Sequence, residues 1–521
     1  MNRFLYISIF LFSLQLAGQT KVNSKLYSKE LKNANLYFET EDYANAIKTY
    51  RKVLAVDPTL ETANLNTAIS RIKLNMPADS ALWYLSKVNT SKFPEAEFYF
   101  GVLYHQTSNF DEATTHLIKY REIPVKIRTV TNEEVDYYLS CVKNAKEFTG
   151  QPHRSVIKNL GNKINSVYDD YVPLITPDES VLYFTSRRSG GVGNLQDGDG
   201  KYYEDVYVSQ KMNDGSWGDP KNIGPPINTS THDACVALSF DGNQMIIYRT
   251  AADMLTGDLY LCHTDYSGWT PPQKLGPEIN TPFIETSACF STDTSVIYFS
   301  SNKPGGFGGK DLYRIKKLPN GRWSLPQNLG QTINTDRDED APFLHPDGTT
   351  LYFSSKGHNT MGAYDIYKTI LNPESNTYSA PDNLGYPINT VLNDCFFVLN
   401  TNGTRGYYSS AKQEGVGGSD LYMIDTRFGD NDLKVKHGIV TIGNDEVSKA
   451  KITLIDIESK QVSGIFNAGS KTGKFLLVMN PVKSYKAIIE EEGYQTAIID
   501  IEPMVNEQED TDLIITLTKK K

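Results

Sequence analysis

The chain has 521 residues, with 62 acidic against 52 basic side chains and a formal charge of −10. That balance argues against nucleic acid and anionic membrane as main partners, because both demand a basic face. At 39% hydrophobic and 22% charged, a chain of this length supports several domains, each with its own core.

Residues 1–18 read as a secretory signal. Arg3 supplies the positive start, Phe4 to Leu16 the apolar run, and Ala17-Gly18 the small residues before cleavage. The run is shorter than the roughly 20 residues of a membrane-spanning helix. No Cys follows Gly18 to carry a lipid. The expectation is an exported, periplasmic protein without a membrane span, at most peripheral to the outer membrane.

From 25 to 150 the apolar period is helical. Ala34, Leu36, Tyr37, Tyr43, Ala46, Ile47, Tyr50 and Leu54 follow i, i+3, i+4 spacing, and Pro58 ends the run. A second, degenerate unit runs from Ala63 to Val88 and holds Trp83. A third passes from Ala96 through Gly101, Tyr104, Phe110 and Ala113 to Tyr120, with a capping helix over 133–148. The stretch resembles a tetratricopeptide array. That resemblance implies a groove for a peptide or protein, with Tyr37 and Tyr99 as groove or core aromatics.

Between 151 and 430 a unit recurs five times. Asp-Xaa-Tyr stands at Asp205-Val206-Tyr207, Asp258-Leu259-Tyr260, Asp311-Leu312-Tyr313, Asp365-Ile366-Tyr367 and Asp420-Leu421-Tyr422, at spacings of 53, 53, 54 and 55. Each unit opens near Ile-Asn (Ile164-Asn165, Ile227-Asn228, Ile279-Asn280, Ile333-Asn334, Ile388-Asn389) and carries an aromatic strand such as Leu351-Tyr352-Phe353-Ser354-Ser355. Periods near 50 with short aromatic strands and Gly/Asp turns indicate a five-bladed β-propeller. The fifth unit lacks a last strand, and Val156 to Gly161 matches the missing piece, so the first strand is expected to complete the last blade. These units resemble WD-like propeller repeats of the TolB kind.

From 431 to 521 short alternating strands follow: Val435–Val440, Ala450–Asp456, Gly473–Leu477, Tyr485–Ile489 and Thr511–Leu517. With Thr472-Gly473-Lys474-Phe475 and Gly493-Tyr494 they resemble a carboxypeptidase-regulatory-like, transthyretin-like β-sandwich. The fold class expected is therefore multidomain α + β, with a helical array, a propeller and a sandwich.

Chemistry is sparse in the sequence. The eight His are scattered, without His-Glu-Xaa-Xaa-His spacing, and neither Gly-Xaa-Ser-Xaa-Gly nor a phosphate-cradling Gly-Xaa4-Gly-Lys is present. Asp197-Gly198-Asp199-Gly200 could ligate Ca²⁺ but lacks a calcium loop's full spacing, and a solvated loop is the preferred reading. Five Cys, an odd number without Cys-Xaa-Xaa-Cys, read as small core residues; Cys235, Cys289 and Cys395 are taken to share one place in their blades.

Five-bladed propellers can be glycosidases, which need an asymmetric carboxylate pair. The repeated Asp of Asp-Xaa-Tyr argues otherwise, since a residue demanded in every blade serves each blade's structure. Asp338, Glu339 and Asp340 are less repeat-like, and a solvated loop is preferred for them too. The expectation is no enzyme, no cofactor, no metal and no nominated site residue. The domain order is similar to that of PorE-type envelope proteins of Bacteroidetes, without their OmpA-like domain. That likeness implies a periplasmic scaffold near type IX secretion or gliding components, with envelope proteins as partners and peptidoglycan reached only indirectly. The alternative is a carbohydrate- or peptide-binding, or glycoside-hydrolysing, propeller.

Overall fold

The computed structural model describes residues 24–153, 155–254, 256–266, 268–401, 403–425, 433–442, 446–469, 472–504 and 512–520. The secretory reading of 1–18 therefore lies outside the described residues. The chain is mixed, with helices first and antiparallel sheets after them. It divides into two compact units, Met1–Ala96 and Glu97–Lys521. The first sequence-derived boundary stands at 150 instead.

The first unit holds α1 (Ser28–Glu39), α2 (Tyr43–Val56), α3 (Glu61–Lys73) and α4 (Ala78–Leu85). Asp42 caps α2 by accepting from the Asn45 N–H, which satisfies an otherwise orphan donor. Ala34, Ala46, Tyr50, Val53 and Ala63 form the core. The Tyr50 hydroxyl donates to Asn35 Oδ1 at 2.7 Å and accepts from Asn66 Nδ2 at 2.8 Å. Leu36 and Tyr37 do not join the apolar stripe the period assigns to them; they are 57% and 36% exposed.

α5 (Glu95–Gln106) crosses the boundary in its first turn; α6 (Phe110–Arg121) and α7 (Asn132–Gly150) belong to the second unit. Gly101 lets α5 approach α6, because a Cβ there would stand 2.6 Å from Leu117 Cγ. Beyond them, five antiparallel sheets follow in chain order. Their inner strands are Asp170–Ile175, Asp233–Leu238, Ala288–Phe290, Glu339–Leu344 and Asp394–Leu399. Each inner strand neighbours the next, and the fifth neighbours the first, so the sheets form a closed, propeller-like ring. Val156–Asn159 pairs with Asp420–Asp425, so the fifth sheet joins the first and last strands of the ring and removes an open edge.

The repeated residues hold this ring together. Asn334 accepts from the Leu312 N–H at 2.8 Å and donates to Leu312 O at 3.1 Å and Asn328 Oδ1 at 2.8 Å. Asn165, Asn228, Asn280 and Asn389 tie their own loops to Leu421, Val206, Leu259 and Ile366 in the same way. The Asp of Asp-Xaa-Tyr gathers backbone amides of the Gly-rich loop and a side-chain amide of the outer strand: Asp311 accepts from the Phe307 and Gly308 N–H and from Asn328 Nδ2, and Asp365 from the Met361 N–H and Asn383 Nδ2. Asp258 departs from the pattern and pairs with Lys274.

Residues 434–517 form two further sheets, with the orders 446–447, 434–442, 474–479 and 462–467, 451–456, 485–490, 497–501; Leu513–Leu517 runs parallel to Lys434–Ile442. Val440, Ile452, Leu454, Phe466, Leu477 and Ile489 are fully buried between them. This module meets the turns at one end of the ring, where Asn243 donates to Asn467 O at 3.0 Å and Asn467 to Asp241 Oδ2 at 2.9 Å. At the opposite end, α5 and α7 sit on the loops of the fourth sheet. His105 Nε2 meets Met361 O at 2.7 Å, so this nitrogen carries the proton; Tyr137 donates to Lys356 O and Gly362 O, and Asn144 to Thr360 O. Burial pushes His105 down to about 4, so it stays neutral.

The five cysteines are free, and all but Cys395 are buried. Their expected equivalence fails. Cys235 stands two residues after the inner-strand acid Asp233, Cys289 four after Glu285 and Cys395 one after Asp394. Register shifts at Cys235/Ala237 and Cys395/Val398 displace the pattern that spacing alone suggests.

Candidate functional site

Inner and third strands begin at one end of the ring: Asp170 is opposite Ser186, and Ser186 opposite Asp205. The inner-strand acids there are structural. Glu339 accepts from Thr335 N and Oγ1 at 2.8 and 2.7 Å and from Ser355 Oγ at 2.7 Å; Asp394 and Asp170 take equivalent bonds from Thr390 and Ser166. The cations Arg188 and Arg249 close on Asp170 and Asp233, both at 2.5 Å. Burial raises Glu339 to about 7 and Asp394 to about 6.

This placement has a consequence for pH. Glu339 binds its proton more tightly folded than at its ordinary 4.5, so its contribution favours folding at low pH and fades as pH rises through 7. Stability should fall across that interval by up to about 1.4 kcal/mol per pH unit from this group. Chemical denaturation at several pH values is expected to show a flatter profile for Glu339→Gln than for the wild type.

The residues flanking these acids differ from sheet to sheet, and two polar clusters result. In the first, Tyr171 donates to Glu204, which also meets His232 Nδ1 at 3.3 Å. His232 Nε2 lies 3.2 Å from Asp197, and the Tyr203 ring packs tilted against the imidazole with ring centres 4.4 Å apart. Arg187 bridges Asp197 and Asp199, each at 2.7 Å. The loop that could ligate Ca²⁺ thus has its two carboxylates bridged by one guanidinium. Burial opposes charge on both Glu204 and His232. Their mutual contact prevails, holding the carboxyl below and the imidazole above its ordinary value.

In the second cluster Asp340 takes bonds from Lys310 Nζ and Ser287 Oγ. Asp338 accepts from the Lys310 N–H at 2.9 Å and pairs with Lys356 at 2.9 Å. Lys356 lies 4.5 Å from the Tyr364 ring centre. Burial works against the Asp340 charge, but Lys310 keeps the group below the usual carboxylate range. The acidic run is therefore split: Glu339 is part of the framework, while Asp338 and Asp340 belong to the cluster.

Below this end the channel is lined by Val172, Leu174, Val236, Ala288, Phe343 and Val398, and its cavity measures about 60 Å³. That is room for a few waters. The two clusters adjoin this cavity, Asp340 through Ser287 and Tyr171 through Phe396, and their carboxylates, cations and phenols offer both acceptors and donors. Among the described residues no His/Cys/Asp/Glu group is arranged to hold a metal ion. No described helix is long and apolar enough to cross a membrane.

Neither a family model nor a curated protein matches the chain. Several solved structures are similar to it at low identity and low TM-score. A glycoside hydrolase is 9% identical over 58% of this chain and 97% of its own, with a TM-score of 0.39. An α-L-arabinofuranosidase from Lactobacillus brevis is 14% identical over 52% and 98%, at 0.34. An endo-arabinase from Bacteroides thetaiotaomicron is 12% identical over 51% and 96%, at 0.33. The likeness concerns the fold alone. The expectation that the chain is no enzyme does not stand as made: the similar solved structures include glycoside hydrolases. That expectation rested on the repeated Asp, on the missing catalytic motifs and on a solvated-loop reading of Asp338, Glu339 and Asp340; it did not consider Glu204.

Proposed function

We propose that the chain carries a five-bladed β-propeller, flanked by tetratricopeptide-like helices and a transthyretin-like sandwich, and that the propeller binds a carbohydrate at its open mouth. What carries the reading is the placement of Tyr171, Glu204, His232, Lys310 and Asp340 at positions the repeat leaves variable. Variable positions on a repeated frame are where a ligand-specific rim can be built at no cost to the ring. Ionised carboxylates held in place accept hydroxyl hydrogen bonds, cations donate, and tyrosine rings stack on sugar faces. Export, as expected from residues 1–18 and from the PorE-type resemblance, would set this mouth among envelope glycans. The scaffold reading is left with no observation that favours it over ligand binding.

The test is calorimetric titration of the full chain with neutral and acidic oligosaccharides, with product analysis of each mixture for hydrolysis. Glu204→Gln is expected to weaken binding about tenfold or more, the worth of one hydrogen bond to a charged group. A wild-type chain that binds no oligosaccharide but captures peptides would overturn the carbohydrate reading.

A further inference from the structure

A second cavity, of about 210 Å³, lies where the ends of α5 and α7 meet the loops of the fourth and fifth sheets, lined by Thr149, Pro387, Val391, Leu392, Lys412 and Glu414 among others. Its volume is more than ten times what one water needs. Lys412 is only 9% exposed. Its ammonium donates to Pro387 O at 2.9 Å and to Tyr408 Oη at 2.8 Å and lies 5.0 Å from the Tyr422 ring centre; among the described residues no third hydrogen-bond acceptor meets it.

The comparison with the other sheets is instructive. Arg188 and Arg249 each close on the inner-strand acid of their own sheet, whereas Asp394 is bonded by Ser410 and Thr390 and forms no contact ion pair with Lys412 among the described residues. A buried ammonium without a contact counter-ion is costly. Burial lowers its pKa, opposed by Asp394 and Glu414. Glu414 is exposed and forms no ion pair among the described residues. The carboxyl ends of α5 and α7, at Gln106 and Gly150, also approach this cavity, and helix carboxyl ends favour a cation.

We infer that this cavity binds a free α-amino acid with an apolar side chain. The carboxylate meets Lys412, the ammonium meets Glu414 and the helix ends, and the side chain packs on Val391, Leu392 and Pro387. The cavity's polar and apolar walls match the three parts of that molecule, and the site is independent of the channel mouth.

Calorimetry and thermal shift on the full chain test it with the apolar L-amino acids, their N-acetyl forms and their amides. The free amino acid that binds best should lose about tenfold or more in affinity when either end is blocked. Glu414→Gln, on an exposed side chain, should weaken the free amino acid about tenfold yet leave the N-acetyl form unchanged. Lys412→Met removes two structural bonds as well, so Glu414→Gln is the decisive variant. The inference is overturned if no apolar amino acid binds at ~10 mM, if blocked and free forms bind alike, or if Glu414→Gln binds as the wild type does.

Discussion

Arg249→Met is expected to destabilise the ring by about 3–5 kcal/mol at neutral pH, the cost of stripping one partner from a buried ion pair. Asp233 has no solvent exposure. Arg249 Nε lies 2.5 Å from its carboxylate, and the same guanidinium donates to Ile227 O and Pro226 O, closing the loop that enters the second sheet. Methionine fills much of the volume but supplies no donor, so three acceptors lose their partner at once. Burial already raises the Asp233 pKa, with Arg249 and Thr229 opposing it. Without Arg249 the group rises further, and the folded state binds a proton that the unfolded chain releases. The loss should therefore grow as pH rises from 5 to 8. Denaturant midpoints at those two pH values measure it, with Arg249→Lys as the charge-retaining control. Equal stability of Arg249→Met and wild type at pH 8 would show that the pair contributes nothing.

The ring was legible because its determinants are short-range and recur. Ile-Asn, the Asp turn and Asp-Xaa-Tyr each mark one hydrogen-bonding task, such as the tie from Asn228 to Val206, and the task appears five times at a fixed spacing. The repeated Asp was assigned to turn-capping and backbone acceptance on that logic, and Asp311 and Asp365 do this. The rim was not legible, because its members pair across sequence gaps no period announces: Glu204 with His232, and Lys310 with Asp340. A comparison of the variable positions across units was the available signal. The residue before Asp-Xaa-Tyr reads Glu204, Gly257, Lys310, Tyr364, Ser419, and the residue after the inner acid reads Tyr171, Ala234, Thr286, Asp340, Cys395. Those two rows hold Tyr171 and Glu204 of the first cluster and Lys310, Asp340 and Tyr364 of the second.

Besides the two-residue Glu446–Val447, two longer strands of the last module escape the sequence pattern for local reasons. Val462–Asn467 contains Gly464, which interrupts alternation and is required because a Cβ there would stand 2.7 Å from the Phe466 ring. Ala497–Ile501 is an edge strand with Ile498 59% exposed, so it lacks the one-sided burial that makes a strand stand out.

The second large effect is expected at Asn334. It is 1% exposed and makes three hydrogen bonds between the third sheet and the loop leading to the fourth. Asn334→Ala leaves the Leu312 N–H, the Leu312 carbonyl and Asn328 Oδ1 without that partner. Leu312 O keeps its bond from the Leu329 N–H and Asn328 Oδ1 its bond from the Gly330 N–H, so only the Leu312 N–H is left unsatisfied. At about 1–3 kcal/mol for that group and about 1 kcal/mol for each of the two other bonds lost, the loss should reach about 3–5 kcal/mol, with some relief if water enters. Asn334→Asp separates geometry from donor capacity. It keeps the shape and the acceptor for Leu312 N–H, but sets a carboxylate oxygen against two acceptors. At pH 8 it should be at least as damaging as alanine. At low pH, where the acid can donate, part of the loss should return. Equilibrium denaturation of the two variants at pH 5 and 8 distinguishes these outcomes. A loss under about 1 kcal/mol for Asn334→Ala would mean that apolar packing alone holds adjacent sheets together, and that the asparagine repeated in every unit serves some other end.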